Sequence, residues 1–365
     1  MRILYVTTIA LTMGFFPEHF KMLINEGHTV ELACNNDDPL PKSVAELGLK
    51  VHHISFSRSP FSKNNLSATK QLKELIKTGN YDAVHTHTPN ASAIVRLVCR
   101  KFRKQGLRVI YTAHGFHFYK GAPLKNWLIY YPVEWLCAHW TDKLITMNYE
   151  DYALAQKHMH AKKVQYMPGV GIDLSKFNSL AIDGRQKRKE LGIPDEATLL
   201  ISVGELNANK NHETVIKALN GLDVYYVIAG VGDKREYLQQ LIDAQGMTDR
   251  IKLLGYRTDM KELYAASDIF VFPSFREGLS VSVMESMAMG LPVACSRIRG
   301  NTDLIDENGG VCFDPSSVVE CRVAIDAILA SDKKALGEYN KNKITGFSVE
   351  TVCSMLKEVY ETENA

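Results

Sequence analysis

Along the chain, short apolar runs rich in β-branched and aromatic residues alternate with longer stretches of helical periodicity. The first half has such runs at Ile3–Thr8, Thr29–Cys34, Val51–Ile54, Ala83–Thr86, Val109–Thr112, Leu144–Met147 and Val164–Met167. Helical patterns such as Glu18–Glu26, Leu66–Lys77 and Ala91–Arg103 lie between them. That alternation predicts a parallel sheet wrapped by helices. A second series follows at Thr198–Val203, Val224–Ile228, Ile251–Leu254, Ile269–Phe272, Val293–Ser296 and Val311–Phe313, again with helical segments between. The predicted fold class is therefore α/β, with two Rossmann-like domains in succession. Residues 1–170 make the first domain and 196–345 the second. The linker is placed at 171–195, around the charged stretch Asp183–Glu190. The tail, 346–365, reads as a final helix with Ser348 as its N-cap.

Composition narrows the class. A chain of 365 residues fits two domains of ordinary size, and 45% apolar with 23% charged residues is typical of a soluble globular protein. The seven cysteines are scattered singly with no C-x-x-C, which suits buried thiols in a reducing cytoplasm better than disulfides or a zinc site. Thr7, Thr8 and Thr12 interrupt the apolar start and Glu18 and His19 follow, so a first strand is expected there, not a signal peptide. No run approaches the length of a membrane span. The net charge of +2 hides an asymmetry: residues 1–180 hold 22 Lys and Arg against 13 Asp and Glu, and the remainder 21 against 28. A basic first half would be drawn to anionic lipid. Nucleic acid would attract it too, but no nucleic-acid motif accompanies the charge. Plain surface solubility is the other reading.

Candidate chemistry gathers after the run Ile269–Phe272, in Arg276-Glu277-Gly278-Leu279-Ser280-Val281-Ser282-Val283-Met284-Glu285. Glu277 falls in a loop and Glu285 in a helix predicted over Ser280–Met289, stopped by Gly290 and Pro292. A strand, a glycine-containing turn and a helix start form an anion site, because the first helical N–H groups lack internal partners. Two carboxylates beside such a site suit a sugar nucleotide, whose diphosphate meets the N–H groups and whose hexose and ribose hydroxyls meet the acids. A solvated loop acid near an unrelated helix acid would give the same spacing.

The stretches Ala265–Ser274, Arg276-Glu277-Gly278 and Met284–Val293 resemble the carboxyl-terminal domain of family 4 glycosyltransferases, retaining enzymes of the GT-B fold. Glu277 and Glu285 match the E-x7-E motif of that family. The resemblance covers most of the chain and is strongest from about 197 to 313; within the family it is greatest to bacterial capsular polysaccharide and exopolysaccharide transferases. It implies GT-B architecture: an acceptor-binding first domain and a nucleotide-sugar-binding second domain facing a central cleft, with a final helix crossing back to the first.

The resemblance also implies roles. Glu277 would take hydroxyls of the sugar and Glu285 those of the ribose. In Val203-Gly204-Glu205-Leu206-Asn207-Ala208-Asn209-Lys210 the family typically has Gly-Arg at the start and Lys near the end, both for the donor diphosphate. Gly204 and Lys210 match, but Glu205 replaces the arginine, leaving Lys210 to carry more of the phosphate charge. An exposed lysine at a helix start is the plain alternative. Gly230-Val231-Gly232 resembles the family's turn beneath the nucleotide, although a tight turn alone would read the same. Arg257 matches a position near the base. The N–H groups of Ser280 and Val281 are the candidates for phosphate contact, because Gly278 lets the loop approach closely and the helix begins there; Gly278 and Leu279 are counted with the donor site, although a bland loop would also suit Gly278.

In the first domain, His114 follows the run Val109–Thr112 and matches a family histidine thought to contact the transferred sugar. His85, His87 and His117 are near it in sequence, but no carboxylate set accompanies them and no D-x-D occurs, so no metal is expected. Gly14 and Phe15 match the loop bordering the acceptor, without the family's usual Gly-Gly pair. Aromatics and lysines interleave over Phe116–Lys120 and Lys125–Tyr131, which predicts either a membrane-facing surface or a core helix with a basic flank.

The implied function is a retaining transfer of hexose or N-acetylhexosamine from a nucleotide sugar, UDP-linked, to a polyprenyl-diphosphate-linked glycan. The expected location is the cytoplasm, peripheral at the inner face of the plasma membrane, with an anionic membrane surface as partner. The nucleotide sugar serves as co-substrate, with no cofactor and no nucleic acid. A nucleotide-sugar epimerase and a two-domain sugar-binding protein without turnover are the other readings. An NAD-dependent dehydrogenase fits poorly, because no G-x-G-x-x-G follows the first strand.

Overall fold

The structure is a computed structural model that describes residues 1–177 and 182–361. It divides into two compact units, Met1–Gly171 with Val349–Ala365, and Ile172–Ser348. Among the described residues the first unit holds seven strands: β1 (Arg2–Ile9), β2 (Thr29–Asn35), β3 (Lys50–His53), β4 (Ala83–Thr86), β5 (Arg108–Ala113), β6 (Lys143–Thr146) and β7 (Lys163–Tyr166). Their order is β3-β2-β1-β4-β5-β6-β7, and every pairing is parallel. Side chains alternate faces along a strand, so Ile3 and Tyr5 enter one core while Leu4 and Val6 enter the other. A sheet covered on both faces needs apolar residues at successive positions, which is why β1 reads as a continuous run.

The final helix, Val349–Tyr360, packs in the first unit, with Val352, Leu356, Val359 and Tyr360 joining the core of Ile3, Tyr5 and Phe20. Arg108 holds its last turn, donating to the carbonyls of Val359 (2.7 Å) and Tyr360 (2.8 Å). Residues 362–365 of the predicted tail lie outside the described residues.

In the second unit the strands are β8 (Leu199–Val203), β9 (Tyr225–Ala229), β10 (Ile251–Gly255), β11 (Ile269–Phe272), β12 (Val293–Ser296) and β13 (Gly310–Phe313). The order β10-β9-β8-β11-β12-β13 is also wholly parallel. The chain reverses direction across the sheet between β8 and β11 here, and between β1 and β4 in the first unit. At such a switch point the loops leaving neighbouring strands diverge and open a crevice at the carboxyl edge. Both units are thus Rossmann-like parallel-sheet domains.

The stretch predicted as linker, 171–195, is in large part structured; its residues 178–181 lie outside the described residues. Gly184–Leu191 forms a helix with Asp183 as N-cap, its side chain accepting from the Arg185 N–H at 2.9 Å. The helix packs against Met260–Ala266 as part of the second unit. A second difference concerns Ala91–Arg103: the helix runs Pro89–Cys99, and a separate 3-10 turn covers Phe102–Gln105.

Candidate active site

At the switch point of the second sheet, the loop after β8 and the loop after β11 are stapled together. Asn209 contributes twice, its backbone carbonyl accepting from the Phe275 N–H (2.8 Å) and its side chain donating to the Arg276 carbonyl (3.1 Å). Asn211, in the left-handed conformation at φ 53°, donates to the carbonyls of Pro273 (3.1 Å) and Pro315 (2.8 Å). Between these two clamps Lys210 lays its ammonium 2.7 Å from Glu277 Oε1, and 4.7 Å above the Phe272 ring. Both side chains are mostly covered, so the pair is shielded from solvent screening.

Glycines allow these backbones to approach. A Cβ on Gly204 would lie 3.1 Å from Cδ and Cε of Lys210, and one on Gly230 would sit 1.8 Å from the Gly204 carbonyl oxygen. Gly230 therefore serves the contact between the loops after β9 and β8, a packing reason for the Gly230-Val231-Gly232 pattern. Gly278 meets a second such contact: a Cβ on Gly300, at φ +78°, would fall 2.1 Å from the Gly278 oxygen. Arg299 donates through Nε to the Glu277 carbonyl (3.3 Å), holding the same loop from the other side. Leu279 packs on the second unit's core.

The helix after this loop spans Val281–Ala288, with Ser280 as N-cap accepting from the Val283 N–H. The N–H groups of Val281 and Ser282 precede the intrahelical ladder. Glu285 lies on this helix and Oε2 accepts from the Tyr264 hydroxyl at 2.9 Å. Burial raises the Glu285 pKa above its usual range, while the tyrosine pulls it down. Arg257 is engaged elsewhere: its guanidinium is ion-paired with Asp259, which also holds Lys187 at 2.7 Å. Glu205 accepts from the Asn207 side chain at 2.7 Å.

In the first unit, His114 follows β5 and its Nε2 lies 3.2 Å from His87 Nδ1, so one ring donates to the other. Burial pushes the His114 pKa down to about 4, and the nearby His19 adds to the shift. His85 on β4 and His87 just past its end lie side by side, ring centroids 4.2 Å apart and tilted by 31°, and burial holds both well below the usual histidine range. His117 instead stacks on Tyr130. Gly14 lies in a 3-10 turn, Ala10–Phe15, close against Pro41, and Phe15, its last residue, is exposed. A pocket of about 260 Å³ opens at the carboxyl edge of this sheet, lined in part by Thr8, Thr12, Arg58, Thr88, His117 and Tyr130.

Tyr264, Arg299, Asn209, Asn211 and His87 are absent from the sequence-based site. Arg299 and His87 could have been flagged, since each lies just past the carboxyl end of a strand, β12 and β4, where ligands gather. Tyr264 has no such signal, because only the tertiary packing of its helix brings it to Glu285.

Comparison with known proteins bears on the family and the fold. Residues 183–345 match the family model of glycosyl transferases group 1, and residues 2–148 match that of glycosyl transferase 4-like domains. EpsD of Bacillus subtilis, named as a glycosyltransferase, is 36% identical over 319 residues, spanning 84% of this chain and 82% of its own length. The Escherichia coli UDP-Gal:alpha-D-GlcNAc-diphosphoundecaprenol alpha-1,3-galactosyltransferase is 28% identical over 365 residues, spanning 94% of this chain and 91% of its own. Among solved structures, Anabaena HepE in complex with UDP and glucose superposes with a TM-score of 0.80 at 17% identity, over 98% of this chain and 99% of that one. With family models matching both halves and EpsD 36% identical along most of its length, the chain belongs to the GT-B glycosyltransferases, a 4-like domain followed by a group 1 domain.

Proposed function

We propose that the protein is a retaining glycosyltransferase of bacterial cell-surface polysaccharide synthesis. It moves a hexose or N-acetylhexosamine from a UDP-sugar to a polyprenyl-diphosphate-linked glycan at the inner face of the plasma membrane. The observation that carries this reading is the Lys210–Glu277 pair, 2.7 Å apart, beside the start of helix Val281–Ala288 at the switch point. The UDP and diphosphoundecaprenol in the name of the galactosyltransferase relative support the choice of donor and acceptor.

On this reading the donor diphosphate takes the Lys210 ammonium together with the N–H groups of Ser280 and Val281. Charge that develops on the leaving group is then met by donors already in position. Lys210 exchanges carboxylate for phosphate, which frees Glu277 to accept hydroxyls of the sugar. With Glu205 turned to Asn207, Lys210 is the cation of that loop for the diphosphate. Glu285, oriented by Tyr264, accepts the ribose hydroxyls, and Arg257, its charge held by Asp259, flanks the base with its stem. His114, neutral at physiological pH, is the first unit's candidate for contacting the transferred sugar, and Gly14 and Phe15 are its candidates at the acceptor. The leaving phosphate takes the acceptor's proton, so no protein base is required.

The test combines the purified chain, a panel of UDP-sugars and a polyprenyl-diphosphate-linked sugar, with UDP release and the anomeric configuration of the product as readouts. Acceptor-dependent release with an α-linked product from an α-linked donor is expected. Glu277→Ala should abolish transfer while the chain still folds; a folded, active variant would overturn the assignment. Conversion of the donor without acceptor would mark an epimerase.

A further inference from the structure

The seven thiols are scattered along the sequence, yet the second sheet brings two of them together. Cys295 on β12 and Cys312 on β13 are register partners in parallel strands, so their side chains leave the sheet on the same face. Their Sγ atoms lie 3.6 Å apart, in contact and unbonded. Neighbouring strands run about 4.8 Å apart, inside the Cα separation that a disulfide spans, so bonding requires only that the sulfurs close to about 2 Å. The two surroundings differ. Cys295 is fully buried in the core of the second unit, whereas Cys312 is partly exposed. A hydrogen bond from the Cys295 thiol, with positive charge from Arg297 and Lys343, holds the Cys312 pKa below the usual thiol range against the opposing effect of burial. The same hydrogen bond and burial push Cys295 well above that range. A partly exposed thiol among cations is the reactive kind, while burial pushes Cys34, Cys99 and Cys321 up to about 12.

We propose that Cys295 and Cys312 are an oxidative modification site, joined by a reversible disulfide when the chain meets hydrogen peroxide, and that this bond weakens donor binding. The Cys312 thiolate attacks the peroxide: an S–O bond forms as the O–O bond breaks, and the departing hydroxide takes the proton that Cys312 released and leaves as water. Cys295 then attacks the sulfur of the resulting sulfenic acid. The S–S bond forms, the S–O bond breaks, and the hydroxyl leaves with the Cys295 proton as a second water. The thiols thereby lose two electrons, and the peroxide is reduced to water. The coupling to the donor site runs along one row of the sheet. Cys295 pairs with Phe272 on β11 as it does with Cys312 on β13, and the Phe272 ring lies 4.7 Å beneath the Lys210 ammonium. Just past the end of β12, Arg299 donates to the Glu277 carbonyl and Gly300 packs against that of Gly278. Drawing Cys295 toward β13 moves the floor beneath the Lys210–Glu277 pair and the strand end that holds its loop. This consequence rests on the reading of Lys210 and Glu277 as the donor site; the disulfide itself does not.

The full chain is treated with hydrogen peroxide, its remaining thiols are alkylated in urea, and its peptides are weighed without reduction. A cross-linked pair of peptides holding Cys295 and Cys312 is expected, absent from the untreated chain and released by dithiothreitol, with Cys34, Cys99 and Cys321 alkylated as before. UDP is the probe for the donor site, titrated into the native chain. Its Kd should rise about tenfold on oxidation, the scale set by one weakened charged hydrogen bond, and should return with dithiothreitol. Cys312→Ala, or Cys312→Ser where the alanine variant folds poorly, should bind UDP as the parent does and keep that Kd after peroxide. Both thiols left unmodified, or Cys312 carried to sulfinic acid beside a free Cys295, would overturn the site. A cross-linked chain that binds UDP as tightly as the reduced one would overturn the coupling. A reduced chain that binds no UDP would overturn the coupling together with the donor-site reading, and the peptide masses would still decide the disulfide.

Discussion

Replacing Tyr264 with Phe probes Glu285, the carboxylate proposed for the donor ribose, with the smallest possible change. The ring is fully buried and packs near Phe270, centroids 6.0 Å apart, so the substitution preserves its shape and deletes only the hydroxyl that Glu285 Oε2 accepts from at 2.9 Å. Hydrogen bonds to charged groups contribute about 1.5–3 kcal/mol, and the variant should lose stability in that range at pH 7. The sign of the pH dependence follows from burial, which raises the folded pKa of Glu285 above 4.5 while Tyr264 opposes the rise. A raised carboxyl pKa means that ionised Glu285 disfavours the fold at neutral pH, and that this penalty fades as pH falls through the raised folded value and is gone below the unfolded one. Without the tyrosine the folded pKa climbs further. The stability gap between parent and variant is therefore largest at neutral pH and shrinks toward pH 4.5, leaving the roughly 0.5–1.5 kcal/mol of a neutral hydrogen bond. Urea unfolding of both proteins across that range measures the gap, and contributions common to both cancel. In the proposed mechanism the loosened carboxylate also raises the donor KM about tenfold, near 1.4 kcal/mol, with kcat held. A gap that does not vary with pH, together with an unchanged donor KM, would refute the reasoning.

Acid should destabilise the chain through its buried histidines. His19, His114 and His212 are neutral in the fold with pKa values near 4, against 6.5 when unfolded, so stability falls as pH drops below 6.5, by about 2 kcal/mol for each at pH 5 in thermal or urea unfolding. Gly300→Ala should cost about 1–3 kcal/mol and raise the donor KM, because a left-handed residue there drives its Cβ into the Gly278 carbonyl; melting curves and initial rates check both effects. Glu134→Ala should cost about 3–5 kcal/mol in urea unfolding by leaving Arg96 buried and unpaired. The double replacement Arg96→Met with Glu134→Leu should recover most of that loss.

Much of the fold was legible because buried parallel strands have little freedom in composition. The predicted runs coincide with β1 to β13 to within a residue or two, as they must when Ile3 and Tyr5 face one core and Leu4 and Val6 the other. Hydrophobic periodicity fails where polar atoms do the anchoring. Helix Gly184–Leu191 has almost no apolar face; Arg188 fastens it by donating to the carbonyls of Ala266, Asp195 and Ala197 and pairing with Asp268. Read by pattern, such a segment is indistinguishable from a charged linker. Helix Leu124–Ala138 fails in the opposite sense. With apolar residues on every side, periodicity cannot choose its inner face, and Glu134 opposite Arg96 makes the choice.

For the site, the dividing line is whether a contact stays within one strand-loop-helix. Glu277, Gly278, Ser280 and Glu285 do, and their spacing alone marks a loop acid, a close turn, a cap and a helix acid. Lys210 meets Glu277 across 67 positions, and His114 meets His87 across 27. Those meetings depend on strand order, which alternation of elements does not encode: β8 lies beside β11, and β4 beside β5. Given that order, parallel pairing sends the loops after β8 and β11 out of the same edge at adjacent positions, and Asn209 and Asn211 complete the join. The ammonium and the carboxylate are then neighbours before any ligand arrives, and each covers the other's charge. In the proposed mechanism, a diphosphate entering beside Ser280 competes for Lys210 with a group it leaves free to bind sugar hydroxyls, so that donor phosphate and donor sugar would be recognised through a single exchange.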